Sequence, residues 1–412
     1  MSASPPSADG RSAGSWLSRR GPFVLAVSAC VLVAALLRPF PAEFKFRHGG
    51  DCVHYYDWSK AIKERGLAAF PSLVEEWRTR LVGSPPPTRW AYLVLGAAAM
   101  KLWPNPTDQY DPLVLLAWLS GVLALIPMAF WLRRRAPPEI VILCLLFMAT
   151  APVSRALSHF PLSDTVGFLF GLVLFAVTAE WLHQPQPAYL AAITFTAFLS
   201  LTIREPGIVL ILGASGLVFL DGIRNRRLRW APLWALFGGC VLALVVTAFV
   251  IGGPSVLLGI MKLQGQQITK GVPNPYVTGP YYKYLVDLVL VSPALVMTVA
   301  VAVVPLWRRE ELRPLIEHVL TASLVTLFFF CFLPIELRYI MPVDAGLRLV
   351  AAAAVWALWT RRDKLPGGPL AAGVLLAVLF GHDLLIYRQL WGKDQIYDPV
   401  TWNLARQLRM IP

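Results

Sequence analysis

The sequence predicts an all-α polytopic membrane bundle of about eleven spans, with surface helices in a large first outer loop. Three observations carry this. Hydrophobic residues make up 57% of the 412-residue chain and charged residues only 15%, where a soluble domain carries about a quarter. The apolar residues come in runs near the ~20 residues needed to cross a bilayer core. Arginines gather in short groups between those runs, as the positive-inside rule requires. The net charge of +13 therefore reports membrane orientation and not a nucleic-acid surface.

Taken in order, residues 1–21 predict a disordered cytoplasmic tail rich in Ser, Ala, Pro and Gly. Arg19 and Arg20 precede a first span over 22–40, and Arg38-Pro39 at its end fits an uncleaved span better than a signal peptide. A polar outer loop, 41–111, holds one apolar piece, Trp90–Trp103, too short to cross and interrupted by Lys101. With that piece on the outer surface, Arg133-Arg134-Arg135 after the next run, 112–132, falls on the cytoplasmic side. Further spans follow at 138–153, 164–182, 188–203, 207–221 and 231–251. A second outer loop over 252–284 leads to spans at 285–307, 315–334, 340–359 and 368–388, and a short outer tail covers 390–412.

Several function classes are excluded. Four of the five cysteines, Cys30, Cys144, Cys240 and Cys331, lie in apolar runs, and Cys52 stands alone in a loop, so no disulfide framework is expected. No Cys/His spacing resembles a zinc site. There is no Walker loop and no dinucleotide fingerprint, nor the internal repeat that many transporters show. The odd polar motifs all fall on the outer face, while the inner loops are short and mostly basic. One elaborated face is where such a protein works.

Five clusters stand out there. In HGGDCVHYYDWSKAIKERG, residues 48–66, Asp51 follows two glycines, with Tyr55, Tyr56 and Asp57 after it; an amphipathic helix is expected from Asp57 onward. Asp51 is either the first solvated residue after a span or a general base held above the bilayer. In PPPTRWAY, Arg89 lies at a helix start, where a cation opposes the dipole; it binds a headgroup or another partner. SRALSHFPLSDT, residues 154–165, offers Arg155, His159, Ser163 and Asp164, with Ser163 or Asp164 as a helix cap. Arg204-Glu205-Pro206-Gly207 breaks two apolar runs; Arg204 pairs with Glu205 or binds an anionic headgroup. Tyr281-Tyr282-Lys283-Tyr284 and Arg338-Tyr339 fit an aromatic belt, or a sugar ring and a phosphate.

In this order the motifs resemble the GT-C superfamily of membrane glycosyltransferases, and among them the protein O-mannosyltransferases and the aminoarabinose transferases of lipid A. The pieces are GGDCVHYYDWSKAIKERG, PPPTRWAYLVLGAAAMKLW, FWLRRR, LSDTVGFLFGLVLF, LTIREPGIVLIL, GPYYKYL and RYIMP, spread over residues 20–360. The resemblance implies one transmembrane catalytic domain over 22–389. It implies a transferase moving a sugar from a polyprenyl-phosphate carrier to an acceptor hydroxyl on lipid, glycan or protein, with inversion. Asp51 would be the base and Asp57 would support its loop. Arg89, Arg204, Lys283 and Arg338 would steady the departing phosphate. Tyr56, His159, Asp164, Tyr282 and Tyr339 would complete the donor site. A bacterial inner membrane, with the active face periplasmic, is implied in the same way. Many relatives carry Asp-Glu at the first acidic site. Here Cys52 follows Asp51, which weakens a paired-carboxylate metal site: a divalent metal stays possible but unsupported, and no other cofactor is implied. The competing classes are a transporter or flippase of lipid-linked sugars, which needs polar residues lining the spans, and a non-catalytic assembly protein, which needs no acidic outer loop. Asp287, Glu317, His318, His382 and Asp383 come nearest to such a lining.

Overall fold

The computed structural model describes residues 13–38, 51–80, 84–104, 106, 108–270, 282–332, 337–361 and 366–393. Among them the chain is helical, in the order α1 (Ala13–Leu36), α2 (Asp51–Arg65), α3 (Phe70–Thr79), α4 (Trp90–Leu102), α5 (Asp111–Leu123), α6 (Leu125–Leu132), α7 (Pro138–Thr150), α8 (Pro152–Leu157) and α9 (Asp164–His183). There follow α10 (Pro187–Ile203), α11 (Gly207–Asn225), α12 (Trp230–Ile251), α13 (Pro254–Lys270), α14 (Lys283–Val291), α15 (Pro293–Trp307), α16 (Arg313–Phe330), α17 (Met341–Trp359) and α18 (Gly368–Ile386). Without water in a bilayer core, helices satisfy their own backbone groups, which is why the apolar runs all take this form.

Among the described residues seven helical segments are long and apolar enough to cross a membrane: α5 with α6 as one 22-residue run, α9, α11, α12, α16, α17 with the turn before it, and α18 with the turn after it. α14 and α15 make an eighth if taken together, and α1, α7 and α10 are shorter apolar helices. Every expected span thus corresponds to a helix or a helix pair, and the protein is an integral membrane protein. Length alone does not establish the number eleven. The piece 90–103 is the 13-residue α4, about 20 Å long, which falls short of a ~30 Å hydrocarbon core; it packs along α2.

α17 is the central post. Its spanning window is 83% buried, against 17% for α18 and 33% for α12, which face outward. The run Ala351 to Ala354 lets α7, α15, α16 and α18 approach its backbone closely. At Gly346 an added Cβ would lie 2.0 Å from Ser323 Oγ of α16, so a side chain there would make Ser323 move aside.

Several expectations need correction. The first helix begins at Ala13, not near residue 22, and carries Pro22 within it. α2 begins at Asp51, so Asp57 is an exposed residue in its second turn and caps nothing. An acidic residue in the first turn complements the helix dipole, and Asp51 fills that place. The first outer loop also contains α3, whose Phe70, Leu73, Val74 and Trp77 are buried. The second, read as a loop over 252–284, is largely α13. The span expected over 285–307 is broken between α14 and α15 by a bend of 109°. Pro293 forces Ser292 out of the helical region, to φ −141 and ψ 55, so the helix cannot run through. The last helix continues as a π-helical segment, Tyr387–Lys393, into the expected tail. The Gly49-Gly50 turn, residues 1–12 and residues 394–412 lie outside the described residues.

The span α5–α6 places exposed Gln109 and exposed Arg134 at its opposite ends. A cysteine at 109 should react with an impermeant maleimide from the side facing Asp51, and one at 134 only from the other side. Reaction of both from one side would refute the arrangement.

Candidate active site

The site forms where helix ends of five segments meet on one face. α9 starts at Asp164, α10 ends just before Arg204, α11 starts at Gly207, the 3₁₀ turn Leu337–Ile340 leads into α17, and α2 starts at Asp51. The turn from α10 to α11 is tight. The Gly207 amide donates to the Arg204 carbonyl at 2.9 Å. A Cβ at 207 would lie 2.2 Å from the Ser200 carbonyl oxygen, so only glycine fits.

Asp164 is the hub. Its carboxylate accepts from Arg204 and lies 3.7 Å from Arg338 Nε. Only 2% of its side chain is exposed. Arg338 turns its Nη2 to the Asp51 carboxylate, 3.4 Å away. The ring of Tyr339 lies under both guanidiniums, 4.3 Å from Arg204 and 5.7 Å from Arg338. Arg204 Nε is buried and finds no hydrogen-bond acceptor among the described residues. Asp51 is the accessible carboxylate of the two, with 28% of its side chain exposed.

A second cluster adjoins the first. Arg89 Nε donates to Glu205 at 2.7 Å and its Nη1 to the Tyr55 hydroxyl, while Thr88 Oγ1 donates to the other Glu205 oxygen at 2.5 Å. The Tyr55 hydroxyl also meets Ser163 Oγ at 3.1 Å. Burial alone would lower the Arg89 pKa; Glu205 first, then Tyr55, Tyr339 and Asp51, outweigh it and hold the pKa well above its ordinary value. Arg89 is a fixed cation.

These contacts settle three questions that the sequence left open. Arg204 pairs with Asp164 and not with its neighbour Glu205. Glu205 is the partner of Arg89, across 116 residues of chain. Neither Ser163 nor Asp164 caps α9, because Tyr55 and the two arginines take their side chains.

The structure thus brings together Asp51, Asp164, Arg204, Arg338 and Tyr339, with Arg89 one tyrosine away. Tyr56 packs against Tyr110 at 5.1 Å between ring centres. His159 is fully buried after α8. Tyr282, half exposed, precedes Lys283 at the start of α14, which packs on the 337–340 turn. Tyr55, Thr88 and Glu205 lie in the sequence motifs but were not among the candidate site residues. Tyr55 carries a usable signal, since three- and four-residue spacing puts it on the buried face of α2 with Cys52, Trp58, Ser59 and Ile62.

Among the described residues no three His, Cys, Asp or Glu side chains come together, and Asp51 and Asp164 both face arginines. Cys52 offers no thiolate: burial, and next the charge of Asp51, push its pKa up to about 12, with Arg338 opposing. A narrow cleft of about 30 Å³ opens from the site between α9, α10, α11, α16 and α17. Arg204, Arg338 and Asp164 form its polar end, and Phe168, Leu210 and Phe330 its apolar wall.

No protein-family model matches this chain, and no curated protein matches it in sequence. Solved structures do. The oligosaccharyltransferase of Archaeoglobus fulgidus, tethered with an acceptor peptide containing the NVT sequon, superimposes with a TM-score of 0.59 at 14% identity over 90% of this chain and 55% of that one. The same organism's oligosaccharyltransferase AglB, in complex with an inhibitory peptide and a dolichol-phosphate, gives 0.59 at 12% identity over 96% and 60%. ArnT from Cupriavidus metallidurans, bound to undecaprenyl phosphate, gives 0.52 at 17% identity over 95% and 81%. The chain spans little more than half the length of the archaeal enzyme. The fold it shares with these structures is the GT-C fold of membrane glycosyltransferases.

Removing the hub leaves buried Arg204 without its counter-charge and Arg338 with Asp51 alone. Asp164→Asn should cost about 3–5 kcal/mol of stability, against about 1–2 kcal/mol for Glu205→Gln, whose partner Arg89 keeps Tyr55. Thermal unfolding in detergent measures both. A smaller effect at Asp164 than at Glu205 would remove Asp164 from its place as hub.

Proposed function

We propose that this protein is a glycosyltransferase that moves a sugar from a polyprenyl-phosphate carrier to an acceptor hydroxyl, with inversion at the anomeric carbon. One observation carries the reading: an amphipathic cleft whose polar end holds two arginines anchored on one buried carboxylate, with the accessible carboxylate of Asp51 beside them. A lipid phosphate has this polarity, an anion on an apolar chain. The neighbours in fold add support, since one was captured with dolichol-phosphate and another with undecaprenyl phosphate.

In this reading the donor phosphate sits between Arg204 and Arg338, and the polyprenyl chain follows Phe168, Leu210 and Phe330 toward the bilayer. Phosphate binding takes Arg338 away from Asp51 and frees its carboxylate. Asp51 then accepts the acceptor's hydroxyl proton as the oxygen attacks the anomeric carbon. The bond from that carbon to the phosphate oxygen breaks, and its electron pair leaves on the polyprenyl phosphate. The arginines stabilise the charge that develops there. Asp164 positions both arginines, and its buried carboxylate takes no part in proton transfer. The acceptor is a hydroxyl of a lipid, glycan or protein, reached from the periplasmic side of a bacterial inner membrane.

A transporter would keep polar side chains free along its path. Here Asp383 is held by Arg348 and Thr150, Glu317 by Arg224, Arg313 and Trp307, and His318 by Trp131.

Asp51→Asn should lower turnover about 10²–10⁴-fold while donor binding survives, and Asp57→Asn should leave turnover within about twofold of wild type. Release of polyprenyl phosphate from a reconstituted donor measures this; normal turnover by Asp51→Asn removes Asp51 as the base. Arg204→Ala or Arg338→Ala should lose roughly tenfold to hundredfold in kcat/KM, the worth of one charge-assisted contact. Unchanged kinetics in both would dissociate the cleft from the donor.

A further inference from the structure

At the far end of the bundle a second cavity opens between α15, α17 and α18, with a volume of about 350 Å³. It lies a helix length from the candidate active site, since α17 starts beside Tyr339 and the cavity is reached at its last turns. Val301, Ala302 and Pro305 of α15, Ala354 and Leu358 of α17 and Leu375 of α18 line it. Pro305 has no amide hydrogen to offer the Val301 carbonyl, so α15 is weakened along this wall. The wall opens toward the bilayer, with Met297 65% and Val301 72% exposed.

The mouth is basic. Arg309 and Arg361 both line the cavity at the ends of α15 and α17. Arg309 Nη2 donates to the Ala357 carbonyl at 3.4 Å, and its Nη1 lies 3.8 Å from exposed Glu311. Burial first, and then the charge of Arg361, push the Arg309 pKa down, with Glu311 opposing. The two cations are thus close enough to repel each other. Trp307 and Trp359 stand half exposed at the same two helix ends, the level at which tryptophans mark a membrane interface.

We propose that this cavity is a binding site for an anionic phospholipid of the leaflet opposite the active site. One acyl chain lies in the trough and the headgroup phosphate sits between Arg309 and Arg361. Charge complementarity selects the occupant: a basic pocket between membrane helices at headgroup level matches a phosphate-bearing lipid, and a trough with these walls matches a hydrocarbon chain. A zwitterionic lipid offers the same chain without the net charge. The site is independent of the proposed catalysis, because none of its residues touches the Asp51–Arg338 group.

The test is native mass spectrometry of the delipidated full chain, titrated with phosphatidylglycerol or phosphatidylcholine of matched acyl chains. Wild type should bind one phosphatidylglycerol at least roughly tenfold more tightly than phosphatidylcholine, about 1.4 kcal/mol. Each arginine near the surface contributes a factor of roughly five, so R309Q/R361Q should bind the two lipids alike. Ala302→Phe fills the trough and should weaken both lipids while the arginines remain. If the double variant does not fold, Arg361→Gln, at an exposed position, should still lower the preference roughly fivefold. Equal binding of the two lipids by wild type would overturn the proposal. So would a preference that Arg361→Gln leaves undiminished, or phosphatidylglycerol binding that Ala302→Phe leaves unchanged. None of these readouts depends on glycosyl transfer.

Discussion

The site rests on one buried carboxylate. Asp164 is held by Arg204 and lies within 4 Å of Arg338, and in a low-dielectric interior neither side of that arrangement stands alone. An unpaired arginine near the membrane is costly and an unpaired carboxylate equally so. Together they tie the start of α9, the end of α10 and the entrance to α17, which are far apart in sequence. The single charge of Asp164 faces two arginines, and Asp51 balances the second at the water-facing side. A phosphate would compete with Asp51 for Arg338.

A second set of buried charges braces the bundle. Arg348, two turns into α17, donates to Asp344 at 2.8 Å and is paired with Asp383 of α18. It also donates to the Phe147 carbonyl of α7 at 3.1 Å, so one guanidinium joins three helices. Arg38, fully buried, donates at 3.1–3.3 Å to Ser158, Ser154 and the carbonyls of Ala34, Met148 and Ala149. Arg155 lies 3.8 Å over the Tyr387 ring and donates to the Leu37 carbonyl. These arginines spend their donors on backbone and neighbours, whereas Arg204 Nε finds no acceptor among the described residues.

The two ends of the bundle are built differently. At the active face, helices stop short, break and turn, and their exposed ends collect polar side chains. At the other face the helices end in arginines above apolar grooves. The broken pair α14–α15 touches both ends: α14 packs on the 337–340 turn, and α15 forms a wall of the distal cavity. Pro293, at the break, and Pro305, near the far end, mark where the chain departs from a straight span.

What the sequence determined by itself was the class of fold, the places of the apolar segments and the polar motifs that interrupt them. Runs of apolar residues can only be helices in a bilayer, and arginine groups orient them, so composition and periodicity suffice. The residues of the site were also legible, because ionisable groups beside apolar runs are rare enough to notice. Their partners were not. Arg204 sits beside Glu205 in the chain but pairs with Asp164, while Glu205 reaches back to Arg89, because a turn closed on Gly207 points adjacent side chains in different directions. Tyr55 and not Tyr56 faces the arginines, since the helix begins at Asp51 and sets the phase of every residue after it. The bend at Ser292–Pro293 and the distal cavity were likewise invisible to hydropathy, which counts apolar residues and does not see where their helix stops. Segment identity is local, written in which residues follow one another. Pairing of buried charge is decided by which helix ends the packed bundle brings within reach, and only the tertiary structure supplies that.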